Sequence, residues 1–105
     1  MKLSEAITLG AMLSPQAVGH FKDARGGRCA WASAADAARC GYDEWKWTKR
    51  IVNCPECALA KPVAIVIIHL NDTHRWARHR IADWISTIEP TEQTSAEGEE
   101  FSSVA

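Results

Sequence analysis

The sequence predicts a mainly α-helical fold with a minor β part, formed by one small domain. Apolar residues recur at intervals of three and four near the N-terminus and again before Pro90, which is the period of an amphipathic helix. A third segment, Cys29–Cys40, consists almost entirely of small apolar residues and favours a buried helix. With 105 residues, 47% of them hydrophobic and five of them tryptophan, the chain can form a single core.

The first two predicted helices have recognisable end signals. Ser4 can cap the first helix, and Pro15 lies where it must stop. Gly41 follows the alanine-rich helix Cys29–Cys40 as a natural C-terminal cap. Because the side chains of this second helix are small, another element can approach it closely. The apolar residues at helical spacing in the first helix are Leu3, Ile7 and Ala11, with Leu9 and Leu13 beside them.

The last predicted helix has the clearest periodicity in the chain. Asp72 or Thr73 can begin it and Pro90 ends it, so it forms a final amphipathic helix. The stretch Tyr42–Val52, with two tryptophans two residues apart, fits either a strand or a turn. The one-sided apolar residues of the last helix are Ala77, Ile81, Trp84, Ile85 and Ile88.

Two cysteines and two histidines follow a spacing typical of a metal site. Cys54 and Cys57 are separated by two residues, and His69 and His74 follow after eleven residues and a further four. Zinc takes four such ligands in a tetrahedron, and the Cys-Pro-Glu-Cys knuckle suits the two thiolates. The spacing resembles that of the two-cysteine, two-histidine zinc finger, with one residue fewer before the first histidine than its commonest form.

The zinc-finger resemblance implies a ββα unit embedded in the helical domain. Local propensity favours a strand over Pro62–Asn71, because the segment is rich in valine and isoleucine. The resemblance instead requires a helix there, with Pro62 in its first turn. We predict the helix.

Four ligands close the site, so the predicted zinc is structural rather than catalytic. Glu56, between the cysteines, is expected to be a solvated turn residue. A redox dithiol formed by Cys54 and Cys57 is the weaker alternative, because such motifs need a strand before them and a helix N-terminus, and nothing around Ile51 and Val52 indicates that context. Cys29 and Cys40 are expected to be ordinary buried thiols, since a helix would hold them about 16 Å apart.

Sequence-specific DNA reading by this finger is not expected. The base-reading positions of its helix would be Lys61 or Pro62, Ile65 and Ile68, and only the lysine can hydrogen-bond a base edge. We therefore expect the finger to pack into the fold, beside the alanine-rich and last helices. The alternative is a nucleic-acid surface at a basic and aromatic cluster further on, with Arg75, Arg78 and His79 opposite the apolar face of the last helix. The cluster comprises Arg75, Trp76, Arg78, His79 and Arg80.

The charge distribution predicts a globular domain over residues 1–88 and an acidic, disordered tail over residues 89–105. The net charge is -1, but all twelve Lys and Arg precede Glu89, and five Glu follow Ile88. No apolar run reaches the roughly 18–20 residues that a membrane span needs, and the N-terminus is a poor signal peptide. We expect a cytoplasmic protein with reduced cysteines.

A wider resemblance covers most of residues 1–89. The opening Met-Lys-Leu-Ser-Glu-Ala-Ile-Thr-Leu-Gly-Ala, the Cys-Ala pair of the alanine-rich helix, the run His-Leu-Asn-Asp-Thr-His-Arg-Trp and the later Ile-Ala-Asp-Trp-Ile look like a group of small bacterial and bacteriophage proteins. The resemblance implies a mobile-element or accessory setting and no particular chemistry. Within it, Asn71 and Asp72 are expected to form a turn that caps one of the flanking helices.

The predicted function is binding rather than catalysis. The chain has no glycine-rich phosphate loop and no framed nucleophile. The first hypothesis is a zinc-binding protein-interaction or regulatory module that uses the surface around Trp76 and the exposed face of the last helix. The alternatives are a nucleic-acid-binding accessory protein and, more weakly, a thiol redox protein. The sequence assigns no oligomeric state.

Overall fold

The computed structural model describes residues 1–39 and 42–90. Its fold is mainly α with a minor β part, as predicted. A kinked 3-10 segment, Tyr42–Lys49, precedes a two-stranded antiparallel sheet. The elements in chain order are helices α1 (Leu3–Leu13) and α2 (Ala30–Ala38), strands β1 (Ile51–Asn53) and β2 (Ala60–Pro62), and helices α3 (Val63–Asp72) and α4 (Arg78–Ile88).

Helix α1 packs against both α2 and α4. Helix α3 also contacts α2 and α4. The predicted neighbours of the finger helix are therefore confirmed. Helix α1 begins one residue before Ser4. The Ser4 hydroxyl donates to the carboxylate of Glu89 instead of capping α1. Glu5 accepts a hydrogen bond from the Lys2 N–H (3.1 Å), so an acidic side chain occupies the positive end of the helix.

Helices α1 and α2 approach each other closely at Gly10 of α1 and the backbone of Ser33 in α2. A Cβ atom at position 10 would lie 2.3 Å from the Ser33 carbonyl oxygen, so only glycine fits without movement. The buried, alanine-rich character predicted for α2 is confirmed, and its small side chains permit this approach. The helix is shorter than predicted, because Arg39 ends it in the left-handed region with φ 54. Cys40 and Gly41 lie outside the described residues.

The prediction that α4 begins at Asp72 or Thr73 is wrong. The helix begins at Arg78, after a turn in which Arg75 adopts φ 56 and interrupts the helical path. Ile81 and Ile85 are fully buried as predicted, whereas Ala77 is the exposed residue before the helix. None of the described helices is long and apolar enough to cross a membrane.

Tyr42–Lys49 forms 3-10 turns rather than a strand, with non-helical backbone angles at Trp45. The Trp45 ring is buried and lies 5.9 Å from the Trp31 ring, measured between centroids. Its indole N–H donates to the Met1 carbonyl oxygen (3.1 Å), so this segment fixes the start of the chain against the core.

Residues 89 and 90 belong to the packed part of the structure. Glu89, predicted to begin the acidic tail, accepts hydrogen bonds from the backbone N–H (3.1 Å) and the hydroxyl of Ser4. The rest of the predicted tail, residues 91–105, lies outside the described residues.

Asn71, at the end of α3, is fully buried and uses its whole hydrogen-bonding capacity. Its Oδ1 atom accepts from Gln16 Nε2 (2.8 Å) and from the Ala30 N–H (3.1 Å). Its Nδ2 atom donates to the Ala17 carbonyl oxygen (2.7 Å) and to Asp72 Oδ1 (2.7 Å). Asn71 therefore joins α3 to the loop after α1 and to the start of α2, and it caps neither of the helices that flank it in sequence.

Replacing Gly10 by alanine tests the close packing of α1 on α2. Gly10→Ala should lower the free energy of unfolding by about 1–3 kcal/mol through overpacking, even though alanine is the better helix former by about 1 kcal/mol. Urea denaturation measures the change. Ala11→Gly, one residue along, gives the cost of helix propensity on the same helix. A more stable Gly10→Ala variant would show that the two backbones are not in contact.

Replacing Asn71 by aspartate keeps the side-chain shape but removes both N–H donors. The new carboxylate would face the Ala17 carbonyl and the Asp72 carboxylate, so we expect a loss of about 3 kcal/mol or more in unfolding free energy. The loss should shrink as the pH is lowered, because a protonated carboxyl can again donate one hydrogen bond. Asn53→Asp, at an exposed position of β1, should change stability by less than about 0.5 kcal/mol. Equal effects of the two substitutions on chemical denaturation would contradict this role of Asn71.

Candidate metal centre

The two cysteines lie in the loop that joins β1 to β2. The strands pair antiparallel with Ile51 opposite Pro62, and the Cys54 N–H donates to the Leu59 carbonyl oxygen (2.8 Å), which closes the loop. Cys54 is buried and Cys57 is exposed. The Glu56 N–H donates a hydrogen bond to Cys54 Sγ (3.4 Å). The hairpin thus holds two sulfur atoms on one side of a tight turn.

Helix α3 carries the first histidine, and its helical state is confirmed against the local strand propensity. Its buried residues recur at helical spacing, so burial of one helix face outweighs the β preference of valine and isoleucine. Pro62 is the last residue before the helix, with extended backbone angles (φ -53, ψ 148), rather than a member of its first turn. His69 lies in the last turn. The fully buried side chains of α3 are Val63, Val66, Ile67, Leu70 and Asn71.

The second histidine lies beyond the helix, in a widened turn. The His74 N–H donates to the His69 carbonyl oxygen (3.3 Å) and the Trp76 N–H to the Leu70 carbonyl oxygen (3.0 Å), so the chain folds back on the helix end. Arg75, between His74 and Trp76, supplies the left-handed residue that this reversal needs. The turn brings the His74 ring to 4.7 Å from the His69 ring, edge to face.

The structure brings the four predicted ligands together. One ligand atom from each of Cys54, Cys57, His69 and His74 lies within 4.8 Å of all the others. Cys57 Sγ is 3.4 Å from His69 Nε2. His74 Nε2 is buried and has no hydrogen-bond partner, which is costly for an imidazole nitrogen unless a ligand satisfies it.

The donor set and its dimensions fit a tetrahedral metal ion. Sulfur and nitrogen ligands around zinc lie roughly 3.3–3.8 Å from one another, so only a small contraction of the cluster is required. Two thiolates would neutralise a divalent ion at this partly buried place. The unpartnered His74 nitrogen points to the same conclusion, because a metal bond would satisfy it. The four residues therefore form a possible metal-binding cluster with a closed set of protein ligands.

Glu56 is an exposed turn residue, as expected, but its carboxylate also has two partners that the sequence did not predict. Its Oε2 atom accepts a hydrogen bond from the Trp76 indole N–H (2.7 Å) and lies 3.7 Å from the Arg80 guanidinium. The guanidinium carbon of Arg80 stacks 3.7 Å from the centre of the Trp76 ring. These three side chains link the cysteine loop to the start of α4. No spacing rule signals the arrangement, since Glu56 and Trp76 are twenty residues apart.

The predicted basic and aromatic cluster is divided between the interior and the surface. Trp76 and Arg78 are buried, with 8% and 6% of their surfaces exposed, whereas Arg75, His79 and Arg80 are exposed. The expectation that Arg78 lies on the solvent side of α4 is therefore wrong. Arg78 is buried because its guanidinium donates to carbonyl oxygens at the end of α1, where the helix provides no N–H partner for them.

Arg78 is enclosed by backbone carbonyls rather than by carboxylates. It donates to the Ser14 carbonyl oxygen (2.5 Å), and more weakly to the carbonyl oxygens of Ala11 and Arg28 (both 3.4 Å). These contacts place a cation at the negative end of α1. Burial lowers the pKa of Arg78 from its ordinary value, but an arginine remains charged throughout the usual pH range.

Cys29, the other cysteine that the structure describes, forms no second site within the described ranges. Cys29 is fully buried at the start of α2, where its sulfur accepts from the Ala32 N–H (3.4 Å), and burial raises the pKa of its thiol. Cys54 and Cys57 lie between two strands and do not begin a helix, so the structural context of a Cys-x-x-Cys redox motif is missing here.

The chain matches no protein-family model, no curated protein and no solved structure. The metal-binding arrangement is therefore inferred from the side chains themselves.

Substituting Arg78 tests its role at the end of α1. Arg78→Lys retains the charge but cannot reach several carbonyls at once, so it should lower the free energy of unfolding by about 1–3 kcal/mol. Arg75→Lys, a matched change at an exposed arginine in the same segment, should have an effect below about 0.5 kcal/mol. Thermal melting of the two variants beside the wild type makes the comparison. Indistinguishable melts would mean that the buried guanidinium is dispensable.

Proposed function

We propose that the protein is a small zinc-binding module whose metal is structural and whose work is to bind another protein. The observation that carries the metal assignment is the convergence of two sulfur and two nitrogen ligands around a buried, unpartnered His74 nitrogen. Of the common biological metals, zinc best suits a tetrahedral set of two thiolates and two imidazoles.

A structural role is supported by what the four ligands connect. The cysteines belong to the β1–β2 loop, His69 to the last turn of α3, and His74 to the turn that leads into α4. A bound ion would tie these three segments at one point, so its binding energy would add to the folding energy of the domain.

Catalysis by this centre is not part of the proposal. A catalytic zinc keeps a position for water or substrate beside an acid or base. Here four protein ligands are available, and the nearby Glu56 carboxylate is engaged by Trp76 and Arg80.

Protein binding is favoured over nucleic-acid binding. Trp76 is held beneath Arg80 and against Glu56, so its ring is not free to stack a base, and Arg78 is occupied by carbonyl oxygens. The exposed part of the predicted cluster is reduced to Arg75, His79 and Arg80. The chain also carries a net charge of -1, which gives no long-range attraction to phosphates.

The cellular setting is proposed on the sequence alone. Thiol ligands suit a reducing compartment, which supports a cytoplasmic location. The resemblance to small bacterial and bacteriophage proteins supports an accessory role in such a genome.

Metal content tests the proposal directly. Protein purified without chelator or metal-affinity resin should contain one zinc ion per chain by elemental analysis. His74→Ala should lose the ion and melt at a lower temperature, since each kcal/mol lost lowers Tm by about 4–8 °C in a domain of this size. The visible spectrum after cobalt substitution should report tetrahedral sulfur and nitrogen ligands.

His79→Ala provides the matched control, because His79 is exposed on α4 and is not among the four ligands. It should retain zinc and melt like the wild type. A metal-free wild type, together with an unchanged melt for His74→Ala, would remove the zinc centre from the proposal.

A further inference from the structure

A groove of about 380 Å³ runs between α1 and α4 on the side away from the core. Helix α1 contributes residues at positions 5, 8, 9 and 12, which form one stripe along its length. Helix α4 contributes one apolar residue and two polar ones. The lining residues are Ser4, Glu5, Thr8, Leu9, Met12, Ala82, Asp83 and Ser86.

Helix α1 is apolar on more of its surface than the fold buries. Its polar side chains are only Ser4, Glu5 and Thr8, whereas a helix at the surface of a domain normally has a polar outer face. One side of α1 is buried against α2 and α4, yet Met12 on the groove side is 76% exposed. An apolar stripe left open beside a groove is typical of a surface that binds another chain.

The charges that line the groove have one sign. Glu5 and Asp83 are its charged residues, and no Lys or Arg is present among the described residues that line it. Within the described part of the chain, neither carboxylate forms an ion pair with a basic side chain. The groove therefore presents apolar side chains between two carboxylates, of which Asp83 has no basic partner among the described residues and Glu5 accepts only the Lys2 backbone N–H.

We propose that the α1–α4 groove binds an amphipathic helix of a partner protein, with an apolar stripe flanked by Lys or Arg. Flexible Met12 and half-buried Leu9 would receive the apolar side chains. Glu5 and Asp83 would face the basic ones and set the orientation. Each groove helix has eleven residues, about 16 Å in length, which matches about three turns of a partner helix.

The chain's own C-terminal segment is a poor occupant for the groove. Beyond Pro90 it contains four glutamates and no basic residue, so Glu5 and Asp83 would repel it. The inference rests on the proposed protein-binding role and names the partner's chemistry, but it does not depend on the metal.

Two synthetic peptides test the proposal. Each has eighteen residues with leucines at helical spacing, and the flanking positions are all lysine in one peptide and all glutamate in the other. Fluorescence anisotropy of labelled peptide with the full-length protein should show saturable binding of the lysine peptide, and at least tenfold weaker binding of the glutamate peptide.

Two matched pairs of variants locate the binding site. Met12→Ala should weaken binding of the lysine peptide at least fivefold, whereas Leu13→Ala, at an equally exposed residue outside the groove, should change it less than twofold. Asp83→Lys should weaken binding at least tenfold. Glu44→Lys makes the same charge change at an exposed residue away from the groove, and should have a much smaller effect. All four positions are exposed, so the variants should remain folded.

The proposal is overturned if neither peptide binds, if both bind equally, or if the members of each variant pair behave alike. Sedimentation of the protein without peptide tests a second copy as occupant, and a dimer abolished by Met12→Ala would also overturn it. Zinc content is measured on the same samples. Loss of the zinc assignment with intact peptide binding, or the reverse, therefore separates failure of the metal proposal from failure of the groove.

Discussion

The hydrogen bonds of Asn71 are the constraint on which the rest of the structure depends. A buried amide is costly unless both of its ends are satisfied, and here two acceptors and two donors meet it from the loop after α1, the start of α2 and the end of α3. This arrangement fixes where α3 ends. It also fixes the turn that follows, and with it the approach of His74 to His69.

The candidate metal centre and the interior are therefore one connected system. Asn71 lies between the two histidines in sequence, and Gln16, which donates to its Oδ1 atom, also donates to the Trp76 carbonyl oxygen (2.8 Å). Trp76 in turn reaches the cysteine loop through Glu56. A change in the histidine turn would alter both the hairpin and the core, because Asn71, Gln16, Trp76 and Glu56 connect the turn to each of them.

The sequence predicted the features that depend on short spacing. The four candidate ligands and the helical state of α3 follow from residues that lie within one segment of the chain. Arg78 was assigned to solvent, because a charged residue is normally exposed. Glu56 is exposed as expected, but no partner was predicted for it. Their actual partners lie far away in the chain, at Trp76 and at the end of α1, and no local pattern announces them. The start of α4 was misplaced for the same reason, since Asn71 and Asp72 have distant partners.

The contact between Ser4 and Glu89 has a consequence for how the chain acquires its fold. Helix α1 is synthesised before the other described helices, whereas α4, one of its two main neighbours, is synthesised after them. Pairings between such distant segments are slow to form, because a long loop must close before any contact is gained. The face of α1 that packs on α4 therefore stays uncovered until the last helix has been made.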